Sequence, residues 1–434
     1  MEMKGNTLAI VLLVVGLVVG GGVGYFAAPQ GEGEIVEVPI EVEKIPLSGQ
    51  TIQLGYISST TSNLETNQPH IEEMMVPDYN AYAAKLGYDV DFVYLIDDAT
   101  SQAAVHLEKV QGFKSIGVNI FIGGGWSSQA SAAMGYCNDN DMLMWSASST
   151  SPTLAIAGDN LLRMCPTDLV QAPAIVRMLE SHGINAVVTI QRGDSWADGI
   201  YNIYKPMFEE GGGVELDRIR YAAEVQEFSS YLQQAENKLS EAIDTYGKEH
   251  VAVEVIGFQE VANMIQQAVD YETVYDLIWF GSDGTALTSQ IRDDSPVQAA
   301  HLKLHSTMAA PAESSKYADL YDRYWALVGQ PYGYYTACTY DIGWVLAETI
   351  LESQSLDAMV NLPLQATTCM NSFGASGWNR LNDDGDRYAS NYQIWYYEID
   401  DEGVGWDKVS GLYDMVTDSV TWYTDVIGYI PPSR

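Results

Sequence analysis

The chain has 434 residues, 47% of them apolar, which is enough to bury two cores and excludes a disordered polymer. It carries 21 basic residues against 58 acidic ones, a formal net charge of −37, and this excludes nucleic acid as a partner because phosphate contacts need clustered Lys and Arg. So acidic a surface suits a protein facing salty or extracellular water.

From Leu8 to Ala28 the run LAIVLLVVGLVVGGGVGYFAA holds no ionisable group except the Tyr25 phenol and is about as long as a bilayer core requires. Three fates are open: a retained anchor, a removed signal peptide with a poor A-x-A site, or cleavage after Gly5 in the pattern of archaeal class III signals. All three put the rest of the chain on the extracytoplasmic face. Residues 31–50 (GEGEIVEVPIEVEKIPLSGQ) are acidic, contain two prolines and read as an extended stalk.

Beyond residue 50, strand-length apolar runs alternate with helix-length amphipathic segments. TIQLGYIS precedes a helix over 65–86; VDFVYLI precedes one over 101–113; GVNIFIG precedes one over 127–140; MLMWS follows. The pattern restarts with NAVVTIQ, a helix over 195–208, GVELDRIRYA, a helix over 229–246, HVAVEVIGF, a helix over 260–269, and YDLIWFGSD. The strands lack period-two alternation, as expected of parallel sheets covered on both faces by helices. Two such units imply two lobes.

In open α/β sheets ligands sit beyond the carboxyl ends of the strands. Polar or glycine-rich clusters fall at seven such ends: SSTTSN, IDDAT, GGGWSS, SASSTSP, QRGDSW, GFQE and GSDG, whereas the opposite edges read as plain turns. In FIGGGWSSQASAA the three glycines would let a ligand approach the backbone, and Ser127 or Ser128 would cap a helix whose free amides can hold an anion. Glu260 opens a helix and can pair with an ammonium across a cleft; it can equally be a carboxylate placed there by the helix dipole.

Other chemistry is weakly signalled. GDSWADG looks like the nucleophile block of a serine esterase, but none of the six histidines has an aspartate three residues before it, and no G-x-S-x-G, H-E-x-x-H or P-loop occurs. NDDGD at 382–386 lacks the spaced ligands and terminal glutamate of a calcium loop. No catalytic residue, metal or cofactor is expected. Cys137, Cys165, Cys338 and Cys369 are compatible with two disulfides, Cys137 with Cys165 and Cys338 with Cys369, or with four buried free thiols.

DDATSQAAVHLEKV, FIGGGWSSQASAA, MLMWSASSTSPTLA, LLRMCPTD, VVTIQRGDSWADGIYN, EFSSYLQQ, IWFGSDG, YTACTYDIGWVLAETI and LNDDGDRYASNYQIWYYE, in that order, resemble the type I periplasmic binding proteins of the leucine/isoleucine/valine kind over residues 51 to about 425. The resemblance implies two Rossmann-like α/β lobes with parallel sheets, joined by three crossover strands, after an N-terminal hydrophobic helix. It divides the chain into an anchor or signal (1–30), the stalk (31–50), lobe I (51–167), lobe II (168–305), a second part of lobe I (306–376), and lobe II strands with the C-terminal tail (377–434). It also implies a solute-binding protein that closes on a small molecule such as an amino acid and delivers it to an ABC permease. A cell-surface structural or sensory role on the same fold is the alternative.

By the same resemblance, backbone and hydroxyls at Ser127 and Thr150, with neighbours Ser128 and Ser149, would hold a ligand carboxylate, and the Ser148 carbonyl would meet its ammonium. Trp196 would form an aromatic wall and Glu260 would pair with the ammonium, assisted by Asp283. Two features depart from the family. LETNQ offers no aromatic residue near Leu64, and Trp126, Trp145 and Trp196 make the site tryptophan-rich, suiting a ligand larger, flatter or more cationic than leucine.

Overall fold

The computed structural model describes residues 46–432. The hydrophobic run and most of the stalk lie outside the described residues, and with them the expected anchor. Among the described residues no helix is long and apolar enough to cross a membrane. Folded structure begins ahead of residue 50: Leu47 is buried in the first core, and Gly49 donates to the Asp89 carbonyl at 2.6 Å.

Five parallel strands form the first sheet: β1 (Gln50–Ser58), β2 (Val90–Asp98), β3 (Ile120–Ile122), β4 (Leu143–Ser146) and β5 (Leu161–Arg163), in the order β2-β1-β3-β4-β5. The second sheet has eight: β6 (Ala186–Arg192), β7 (Val214–Tyr221), β8 (Val251–Ile256), β9 (Ile278–Gly281), β10 (His305–Ala309), β11 (Tyr392–Ile399), β12 (Gly405–Asp414) and β13 (Ser419–Trp422), in the order β13-β12-β11-β10-β9-β8-β6-β7. Strands β6 to β10 run parallel, and β11 to β13 add an antiparallel meander.

Both faces of each sheet are apolar because helices cover them. One core cluster centres on Trp145, Tyr79 and Phe92, and another on Phe121 and Met144 across the same sheet. Two more flank the second sheet around Trp279 and around Trp196 and Phe280. Trp145, expected near the ligand, is fully buried in the first of these; its side chain alternates onto the core face of β4, as strand geometry requires.

The chain passes between the lobes three times: after β5, between β10 and the helix Ser315–Val328, and between the helix Ala358–Asn371 and β11. The first and third passages are clamped together. Fully buried Arg163 pairs with Asp386 at 2.5 and 2.7 Å and also donates to the carbonyls of Ser149 (2.9 Å) and Ser151 (2.8 Å). Asp386 belongs to NDDGD, whose turn is closed by Asn382 Oδ1 accepting from the amides of Asp384 and Asp386.

Two local expectations change. The helix expected over 65–86 begins at Thr61, capped by the Thr60 hydroxyl, and is interrupted by a π-helical turn, His70–Met75, between Pro69 and Pro77. A proline inside a helix removes one hydrogen bond, and the wider turn absorbs the mismatch. The four cysteines are buried free thiols, which corrects the disulfide alternative. Cys137 packs on one face of the first sheet and Cys165 on the other, so the sheet itself keeps them apart. Cys338 and Cys369 share a core cluster but remain reduced, and burial pushes both thiols up to about 12.

Candidate functional site

Strand order decides where a ligand can sit. In the first sheet the chain reverses direction at β1, between β2 and β3; in the second it reverses at β6, between β7 and β8. Such switch points open crevices at the carboxyl ends of the flanking strands. The two crevices face each other across a cleft of about 460 Å³, lined by loops after β1, β3 and β4 on one side and after β6, β8 and β9 on the other. A third wall comes from the start of the helix Tyr334–Ser353, including Tyr335 and Thr339.

On the first lobe Gly123 and Gly125 line the cleft, and the glycine run has a second role in packing against its own lobe. A Cβ on Gly125 would lie 2.4 Å from Ser59 Oγ, and one on Gly124, whose φ is +61°, would lie 3.0 Å from Ala130. The glycines therefore let the loop pack on its own lobe, with the Gly124 amide donating to Nε2 of buried His106 at 2.7 Å. Burial lowers His106 to about 4, so its imidazole is neutral and able to accept. This packing aims the start of the helix Ser127–Asp139 at the cleft. The Gln129 amide donates to the Trp126 carbonyl at 3.0 Å, while the Ser127 and Ser128 amides have no intrahelical acceptor, and the dipole there favours negative charge by about 0.3–2 kcal/mol.

Trp126, Ser127, Ser148, Trp196 and Asp283 all line the cleft. Ser127 Oγ accepts from the Ser151 amide at 3.1 Å, and the Ser148 hydroxyl donates to the Gly125 carbonyl at 2.8 Å, so the two ligand loops of this lobe brace each other.

Four expected contacts lie off the cleft lining. Ser128 is half-exposed in the first helical turn. Ser149 turns inward to Ser146 Oγ at 2.7 Å. Thr150 is buried at the first passage, its carbonyl accepting from the Asp168 amide at 2.9 Å. Glu260 stands behind Phe258: its Oε1 accepts from Arg192 (3.0 Å), the Tyr221 hydroxyl (2.9 Å) and the Phe258 amide (3.2 Å). Three donors on one oxygen leave it engaged with its own lobe.

Phe258 and Arg192 were not singled out in the sequence, although GFQE and QRGDSW contain them. Phe258 is sandwiched between Trp126 of the first lobe (4.7 Å between centroids, 6° between planes) and Trp196 of the second (4.2 Å, 13°). The Arg192 guanidinium lies 5.5 Å from the Trp126 ring and 5.3 Å from the Phe258 ring. This aromatic clasp joins the lobes at one mouth of the cleft. Nearby, the Ser151 hydroxyl reaches the Ser195 carbonyl at 3.4 Å. The serine of GDSWADG is thus the exposed first residue of a helix, and its neighbour Asp194 caps that helix and binds Arg192.

Asp283 is 7% exposed, with Oδ1 accepting from Gln171 (2.9 Å) and Oδ2 from Tyr335 (2.5 Å). Burial raises its pKa and these hydrogen bonds oppose the rise. Fully buried Asp168 interacts with it electrostatically; burial, then the charge of Asp283, pushes Asp168 well above the usual carboxylate range. The arrangement offers amides and hydroxyls on one wall and a carboxylate on the other.

Residues 74–400 match the family described as the receptor family ligand binding region. An uncharacterised protein of Methanocaldococcus jannaschii is 26% identical over 394 residues, spanning 86% of this chain and 91% of that one. Among solved structures, the branched-chain amino acid substrate-binding protein LivJ of Streptococcus pneumoniae, in complex with isoleucine, matches with TM-score 0.68 at 17% identity, covering 86% of this chain and 99% of its own. The leucine-binding protein LivK of Thermotoga maritima matches with TM-score 0.65 at 20% identity, over 86% and 99%. A type 1 periplasmic binding protein of Bordetella pertussis matches with TM-score 0.69 at 14% identity, over 83% and 100%. With two switch-point crevices closing on one cleft and a family match over three quarters of its length, the chain belongs to the receptor family ligand binding region and has the type I periplasmic-binding-protein fold.

Proposed function

We propose that the protein is an extracytoplasmic solute-binding protein, tethered by its N-terminal hydrophobic run, that closes on an amino acid or related amide and delivers it to an ABC permease. The observation that carries this reading is the opposition of charge across the cleft: helix-start amides at Ser127 face a lobe that presents the Asp283 carboxylate. A zwitterion needs donors at one end and an acceptor at the other, and lobe closure supplies the desolvation that strengthens both. The leucine and isoleucine proteins of the same fold support the solute class. Binding rather than catalysis fits the GDS block, whose aspartate is engaged as a helix cap.

The test is a thermal-shift titration of the full-length chain with the common L-amino acids and their amides. A ligand that binds only the folded state raises Tm, by about 2.7 kcal/mol of added stability at a hundred times Kd. A flat response to every compound would refute the amino-acid reading.

A further inference from the structure

We propose that a monovalent alkali cation, such as sodium, binds behind the cleft wall among the side-chain oxygens of Asp168, Gln171, Thr150 and Ser282. These residues are only 0–2% exposed, and five of their oxygens take part in no hydrogen bond: both of Asp168, Gln171 Oε1, Thr150 Oγ1 and Ser282 Oγ. Buried oxygens are ordinarily paired, and an unpaired carboxylate is the costliest exception. Asp168 and Gln171 stand three residues apart on the helix Asp168–Ser181, so they share one of its faces. Thr150 is tied to them by its carbonyl, which accepts from the Asp168 amide at 2.9 Å, and its hydroxyl stands close enough to favour the Asp168 anion. Ser282 lies two residues beyond Phe280, a ring that packs with Ala172 and Ile175 of the same helix. The Gln171 amide is fixed in orientation: Nε2 donates to Asp283 Oδ1 at 2.9 Å and to Thr307 Oγ1 at 3.1 Å, which leaves Oε1 without a donor.

The chemistry of the set selects the ion. All the donors are hard oxygens, and one carboxylate among neutral groups balances a single positive charge. Among the described residues no three His, Cys, Asp or Glu side chains gather as a transition metal or a calcium ion would require. Asp168 makes no ion pair among the described residues; Arg163, whose charge reaches it, is committed to Asp386 and to the Ser149 and Ser151 carbonyls. Burial and the charge of Asp283 both act against a bare anion at Asp168, and a bound cation relieves both. The ion would also have a structural effect. It would join Thr150, at the first passage between the lobes, to the first helix of the second lobe, and hold the amide from which Asp283 accepts on the cleft lining.

The experiment measures Tm of the full-length protein, without solute, as sodium chloride replaces N-methyl-D-glucamine chloride at constant total salt. That organic cation is too large for a chamber between packed side chains, so ionic strength is held fixed while the candidate ion varies. Tm is expected to rise with sodium, by about 2 °C for each tenfold increase once the site is half filled. Asp168→Asn, which keeps the shape and removes the charge, should abolish the sodium-dependent rise; Gln171→Met, which removes the amide oxygen at nearly constant size, should reduce it. Sodium-23 relaxation on the parent needs no variant: the protein should broaden the sodium line, and added lithium or potassium should compete. Equal Tm in the two salts would mean that water or a proton fills the chamber and would overturn the proposal. An undiminished sodium-dependent rise in Asp168→Asn, or a sodium line that the parent leaves unchanged, would overturn it as well. Should Asp168→Asn fail to fold, Gln171→Met and the relaxation of the parent decide. Because no solute is present, none of these outcomes depends on the solute-binding reading.

Discussion

Replacing Trp126 with alanine removes the aromatic ring through which the first lobe stacks on Phe258. A near-parallel pair at 4.7 Å contributes about 0.5–1.5 kcal/mol beyond its buried area. Arg192, 5.5 Å from the same ring, adds roughly 0.5–1 kcal/mol. Both terms exist only when the lobes touch, so their sum, about 1–2.5 kcal/mol, favours the closed form and is absent from the open one. Once the open form dominates the free protein, that sum appears in full in the apparent affinity, a loss of about five- to seventyfold. Trp126 belongs to none of the four core clusters, so the melting temperature without solute should barely move. The assay pairs calorimetric Kd values with small-angle scattering of the unliganded protein: Trp126→Ala should weaken binding and enlarge the radius of gyration, and Trp126→Phe should recover part of each. A variant that binds as tightly as the parent with unchanged dimensions would refute the clasp.

Three further outcomes follow from buried groups. Arg163→Met leaves the Asp386 carboxyl without its partner and the Ser149 and Ser151 carbonyls without a donor; urea unfolding should show a loss of about 3–5 kcal/mol, and less than about 1 kcal/mol would contradict the clamp. Glu215 is raised by burial from 4.5 to about 7, accepting from Tyr204 (2.8 Å) and Thr189 (2.9 Å). Its folded pKa exceeds its unfolded one, so its stabilising contribution is complete below about 4.5 and is lost as pH rises through about 7. Glu215→Gln should therefore gain on the parent in Tm across that window, a comparison that cancels the opposite trend from buried His70, His106, His182 and His305. Finally, thiol titration in denaturant without reductant should count four reactive cysteines, and reductant should leave the folded protein's Tm unchanged; a count of two or none would restore a disulfide.

Much of the fold was legible in the linear order of residues because its signals are local. GVNIFIG, NAVVTIQ and HVAVEVIGF became β3, β6 and β8, and the helix expected over 229–246 runs from Ser229 to Tyr246. Continuous apolar runs bounded by turns and amphipathic stretches bounded by caps are properties of neighbours in sequence. Ser127, Ser148 and Asp283 could be placed near a cleft for a related reason: parallel topology sends every strand's carboxyl end to one edge.

What only the tertiary structure decided were the pairings between distant residues. Arg192 and Glu260 are 68 positions apart, and nothing near either marks the other as the charge that draws Glu260 from the cleft. The same holds for Gln171 and Asp283, 112 apart, and for Arg163 and Asp386, 223 apart. For the glycines of FIGGGW the sequence could not say that Ser59 and Ala130 fill the space a side chain on Gly125 or Gly124 would need, while Gly123 and Gly125 stay on the cleft lining. Local sequence determines which groups reach the edge of a sheet; whether each one is free to meet a solute depends on what the rest of the chain has already placed against it.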